Sequence, residues 1–149
     1  MLELQCKTFL SLNVNQLHDL LALRSEVFVV EQTCVYQDID GKDPASLHVL
    51  GTINDKIVAY ARILPRGESY MDYSSIGRIV VSTAHRNKQL GHRLVSFSIE
   101  ACKKNFPKDK IKISAQSHLE EFYNAHNFKS SGESYLEDGI PHIGMILKD

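Results

Sequence analysis

The stretch from Ser75 to Lys104 constrains the fold more than any other part of the chain. An apolar run, Ser75-Ile76-Gly77-Arg78-Ile79-Val80-Val81, leads to the basic turn Arg86-Asn87-Lys88-Gln89-Leu90-Gly91. Beyond it, Leu90, Leu94, Phe97 and Ala101 recur at helical spacing and mark one buried face. A strand that delivers the chain into a helix start reads as α/β architecture. The first N–H groups of a helix have no intrahelical partner and the dipole is positive there, so such a junction attracts phosphate. Gly91 has no Cβ to hold a ligand away, and Arg86 and Lys88 supply charge. The turn matches neither GxGxxG nor the Walker A pattern, which argues against a dinucleotide or ATP. On the pattern alone, an ordinary strand-to-helix connection is the competing reading.

The flanking segments extend this unit into a mixed α/β (α+β) order. Residues 3–9 read as a first strand, and Asn13 with Gln16 forms the signature of a capping box for a helix running to about Val29. Residues 31–45 are polar and turn-rich, a long loop of the kind that often carries function. Leu47–Ile53 and Lys56–Leu64 are β-rich and joined by Asn54-Asp55, a tight hairpin signal. After the central strand and helix come a strand at Lys110–Ala115, a short helix at Leu119–His126, and strands near Phe128–Glu137 and His142–Leu147. Strand-helix-strand from Ile76 to Ala115 should be parallel and right-handed. The expected architecture is a twisted mixed sheet of six to seven strands flanked by helices.

The composition sets bounds on partners and surroundings. At 149 residues, 43% hydrophobic and 23% charged, residues 1–149 fit a single domain with a sizeable core. A net charge of −1 gives no bulk attraction to nucleic acid or an anionic membrane. With no apolar run long enough to cross a bilayer and no signal-peptide pattern, the chain is expected in the cytoplasm. Three widely spaced cysteines suggest neither disulfides nor zinc, and the seven histidines contain no HExxH arrangement, so no metal is expected.

The order of elements, the Arg-x-x-Gln-x-Gly turn and the segment Phe122-Tyr123-Asn124-Ala125-His126-Asn127-Phe128 together resemble the GNAT superfamily of N-acetyltransferases. More narrowly, Arg24–Gln32, Tyr36-Gln37-Asp38-Ile39-Asp40, Ala115-Gln116-Ser117-His118 and Leu136–His142 resemble its ElaA-like subgroup. The resemblance implies a GNAT fold, acetyl-CoA as co-substrate and a primary amine on a small molecule, peptide or protein as acceptor, and it leaves a homodimer open. It implies that the turn residues Arg86, Asn87, Lys88, Gln89, Leu90, Gly91 and His92 hold the pyrophosphate. The main chain of Ile79, Val80 and Val81 is then expected to contact the pantetheine arm, which can pair like an added strand. One departure stands out: Gln89 occupies a position that is small in the family pattern. It sustains a second reading, a noncatalytic acyl-CoA-binding sensor or interaction domain.

By the same resemblance, Tyr123 is the general acid that protonates the departing thiolate. Its helical spacing with Leu119, Phe122 and His126 also suits a core aromatic. The base that must take a proton from the amine is drawn from Glu26, Asp38, Asp40, His118 and His142, with Glu26 and His118 leading. Asp38, Asp40 and Asp43 would favour a cationic acceptor if their loop borders the cleft. A ping-pong route through Cys34 or Cys102 has no neighbouring base in the sequence.

Overall fold

The computed structural model describes residues 1–148. The sheet is assembled from β1 (Glu3–Thr8), β2 (Leu47–Ile53), β3 (Lys56–Leu64), β4 (Tyr73–Val81), β5 (Lys110–Gln116), β6 (Phe128–Glu137) and β7 (Ile140–Leu147). Their spatial order is β1-β2-β3-β4-β5-β7-β6. Every pairing is antiparallel except β4–β5, which the intervening helix α2 (Leu90–Asn105) makes parallel. The Asn54-Asp55 hairpin forms as its sequence suggests, with both residues at positive φ (51° and 64°).

Alternation along β3 decides how the sheet is covered. Ala59, Ala61 and Ile63 point into a core with Leu94, Val95 and Ile99 of α2 and with Tyr123 of the short α3 (Glu120–Asn124). Tyr60 points to the opposite face, where Leu20 and Leu23 of α1 (Val14–Arg24) and Val27 pack with Leu50 and Val80. Helix α1 begins with the reciprocal Asn13–Gln16 capping box. The helical run does not stop near Val29. Its α-helical part ends at Arg24, and Ser25–Glu31 continues in wider π-helical turns. These turns leave Val27 in the α1 core and bring Phe28 to the slot described below. The segment expected as a helix over 119–126 is a 3₁₀ turn at Ser117–Leu119 followed by α3.

Candidate active site

Strands β4 and β5 pair only at their start, Tyr73 with Lys110 and Ser74 with Ile111. Beyond that point they part. The cause lies on the other side of β4: Tyr60 pairs with Val80 and Arg62 with Gly77, so Arg78 and Ile79 together oppose the single residue Ala61. This is a β-bulge, with Arg78 at φ 50°, and a bulge bends its strand. The parting leaves a slot of about 130 Å3 bounded by Ile76–Ile79 on one side and Ile113–Gln116 on the other. Ser82 N–H donates to Val58 O at 2.7 Å. Strand alternation therefore turns Val80 toward β3 and the main chain of Ile79 and Val81 toward the slot. Of the three expected main-chain contacts, two face the opening, and Val80 is occupied with Tyr60.

The basic turn stands where β4 leaves the sheet. Gln89 precedes α2 in the left-handed region, at φ 60° and ψ 14°. That conformation explains why a small residue suits the position, since a side chain there costs about 1–2 kcal/mol. No side chain caps the helix, and the N–H groups of Leu90, Gly91 and His92 have no protein acceptor among the described residues. A Cβ on Gly91 would meet only Phe122, at 3.5 Å, so the glycine leaves the outer side of the turn open. Arg86 donates through Nε to Val81 O at 3.1 Å and pairs with Glu31 across the turn. Asn87 and Lys88 are exposed, and the His92 ring bonds His126 at 2.9 Å and lies tilted by 33° against Phe122.

Tyr123 lines the slot from the α2–α3 face. Its ring packs edge-on against Phe122 and Phe128, yet its hydroxyl has no hydrogen-bond partner among the described residues. Burial pushes the phenol up to about 12, so it carries its proton throughout the neutral range. Glu26 and His118 are not brought to it. Glu26 is exposed and borders a separate depression with Asp19, Leu23, Lys56 and Ser82. His118 is exposed on the 3₁₀ turn, while its neighbours Gln116 and Leu119 line the slot.

The aspartates of the long loop serve its anchorage. Arg24 is fully buried and donates to Asp38 at 2.9 Å and Asp43 at 2.8 Å. Arg62 bonds Asp40 through both terminal nitrogens and Asp43 at 3.0 Å; Arg78 bonds Asp38 at 2.7 Å. Three guanidinium groups thus balance three carboxylates, and the expected negative field toward a substrate is cancelled. Burial alone would raise the Asp40 carboxyl, but hydrogen bonds from Arg62 and the Lys42 N–H outweigh it and hold the group far below its usual range. A carboxylate so stabilised is a poor base. The network fixes Cys34 and Tyr36 as one wall of the slot, with Phe28 and Gln32 beside them. Cys102, by contrast, is fully buried, and burial pushes its thiol up to about 12. Among the described residues no group of His, Cys, Asp or Glu suits a metal.

A mixed sheet opened beside a free helix start, with a protonated phenol in the opening, has the layout of an acyltransferase fold. Residues 14–148 match the family described as the acetyltransferase (GNAT) domain, and the chain belongs to that family. Protein ElaA of Escherichia coli is 46% identical over 147 residues, which cover 97% of this chain and 95% of ElaA. The crystal structure of E. coli ElaA superposes with a TM-score of 0.92 at 45% identity, covering 99% of this chain and all of that one. An acyl-CoA N-acyltransferase from Pseudomonas aeruginosa superposes with a TM-score of 0.94 at 38% identity, over 99% of this chain and all of its own.

Proposed function

We propose that the protein transfers an acetyl group from acetyl-CoA directly to a primary amine. The observation that carries this reading is the slot itself: the main chain of Ile79 and the N–H of Val81, whose carbonyl is held by Arg86, face the opening beside a helix start whose N–H groups lack acceptors. The arm of a CoA ester has amides that suit the first, and its pyrophosphate suits the second. Residues 86–92 would hold the pyrophosphate, with exposed Lys88 adding charge and Arg86, paired with Glu31 and bonded to Val81 O, bracing the turn. When bound, the thioester supplies the activated acyl group.

Tyr123 is the acid in this scheme. With the phenol at about 12 and an ordinary thiol near 8.5, a full proton transfer runs uphill. Its role is to donate a hydrogen bond to the sulfur and release the proton as the C–S bond breaks. The Ile79 or Val81 N–H offers charge stabilisation to the carbonyl oxygen.

Thiol release measured with acetyl-CoA against polyamines, amino acids and lysine peptides tests the reading. Release that depends on an amine is expected. A protein that is thermally stabilised by acetyl-CoA but releases no thiol with any amine would instead be a binding domain. Gln89, a side-chain-bearing residue at φ 60° in the turn, is the observation that favours this second reading. Longer acyl-CoA esters in the same assay test the acetyl assignment, and turnover that rises with chain length would overturn it.

A further inference from the structure

A polar cluster on the opposite face of the sheet has no part in the scheme above. His142 of β7 pairs with Gln116 of β5, is 7% exposed, and lines the same slot as Tyr123. Ile143 and Met145 of β7 and Ile113 and Ala115 of β5 pack in the core with Tyr123. Alternation therefore puts His142 and Ser114 on the other face, beside the loop that carries Tyr36. The slot is reached by a phenol from one face and by an imidazole from the other.

The hydrogen bonds fix the tautomer of that imidazole. His142 Nδ1 lies 2.7 Å from Ile140 O, and a carbonyl only accepts, so Nδ1 carries a hydrogen and, in the neutral ring, the lone pair belongs to Nε2. Nε2 is 3.5 Å from Glu137 Oε2. The ring stacks on Tyr135 with an interplanar angle of 16°. Tyr135 bonds the Ser114 hydroxyl, which donates in turn to Glu137 Oε1 at 3.3 Å. On this face the slot opens into a depression of about 660 Å3 that shares Tyr36, Gly77, Arg78, Ser114 and Glu137 with it. Its rim carries Glu137 and Asp138 against Lys42, the charges of Asp40, Arg62 and Arg78 being spent on one another.

Resting on the acyl-transfer reading, we infer that His142 Nε2 is the base that deprotonates the incoming ammonium, and that Glu137 positions the ring and holds the imidazolium formed. The acceptor enters through the wider depression, whose carboxylates suit a cationic amine. An ammonium gives one proton to His142, which passes it to bulk water at the half-exposed Glu137. The neutral nitrogen forms the C–N bond as the C–S bond breaks. Its second proton leaves to water, and the sulfur takes one from Tyr123, which water restores. The sum is ammonium plus thioester giving amide, thiol and one released proton.

Two measurements test this. Nitrogen spectra of histidine-labelled protein should show the neutral form of His142 as the Nδ1–H tautomer. A neutral ring with its hydrogen on Nε2 overturns the assignment. Independently, His142→Asn should lower kcat with ethylamine by ~100-fold or more. With 2,2,2-trifluoroethylamine, whose fluorines leave the nitrogen unprotonated at neutral pH, the loss should stay under about tenfold. Glu137→Gln should shift the two rates in the same unequal way, and Glu137→Asp should recover part of the loss. Equal losses with both amines, or none, count against the base. A parent protein that acetylates no amine refutes the transfer reading alone, and the nitrogen spectra still decide the tautomer.

Discussion

Asp43 is the point at which the loop network is most sensitive. Its Oδ1 accepts from Arg24 Nη1 at 2.8 Å and from Arg62 Nη1 at 3.0 Å, and the residue is 5% exposed. Asp43→Ala leaves three guanidinium groups facing two carboxylates in a site with little access to water. Hydrogen bonds to charged groups contribute roughly 1.5–3 kcal/mol each, and breaking a buried ion pair costs about 3–5 kcal/mol, so both routes give a loss near 4 kcal/mol. For a chain of this length each kcal/mol moves the midpoint by about 2–4 °C, which predicts a fall of roughly 6–20 °C. Calorimetry and urea unfolding read this directly.

Acid titration of the same protein adds a sign. Burial works to raise the Asp43 carboxyl, but Arg24 and Arg62 outweigh it and hold the folded value below that of the unfolded chain. Stability from Asp40 and Asp43 is therefore full above about pH 4, the unfolded value, and is lost as pH falls below it toward the lower folded values. Asp43→Asn keeps an acceptor while removing the charge, so its stability should fall less steeply in that window than the parent's. An Asp43→Ala protein within ~1 kcal/mol of the parent, with an unchanged acid limb, would refute the reasoning.

Two further outcomes follow from the slot and its turn. Tyr123→Phe should keep the fold and acetyl-CoA binding, because the hydroxyl has no protein partner to lose, while kcat falls by ~100-fold or more; an undiminished rate across pH would remove the acid role. Gln89→Gly relieves about 1–2 kcal/mol of left-handed strain, offset by about 0.5–1 kcal/mol of added chain entropy, so stability should change by less than ~1 kcal/mol. Its calorimetric Kd for CoA should be equal or tighter, and a markedly weaker one would mean that the glutamine side chain itself contacts the ligand.

Local chemistry was readable from the sequence where it is set by neighbours along the chain. The Asn13–Gln16 capping box, the Asn54-Asp55 hairpin and the strand-turn-helix around Gly91 each depend on residues a few positions apart. The pairing of the loop aspartates is not legible along the chain because their partners are remote: Asp38 meets Arg24 fourteen positions away and Arg78 forty away. The bulge at Arg78 was partly hidden, for a different reason. Ile76, Ile79, Val80 and Val81 read as regular strand; Gly77 among them is the sequence mark of a bulge, while the positive φ of Arg78, a non-glycine residue, has none. The face of His142 follows from alternation, but its pairing with Glu137 depends on the tight return through Asp138-Gly139 that sets β6 against β7.

The account stands on the parting of β4 from β5 as the seat of CoA. Backbone amide resonances, followed while CoA is added up to millimolar concentration, test it most directly. The account predicts shifts and slowed hydrogen exchange at Ile79 and Val81 and at Leu90–His92, with β1 and β2 unmoved. Unchanged amides at those five positions, or shifts confined to another part of the sheet, would contradict it.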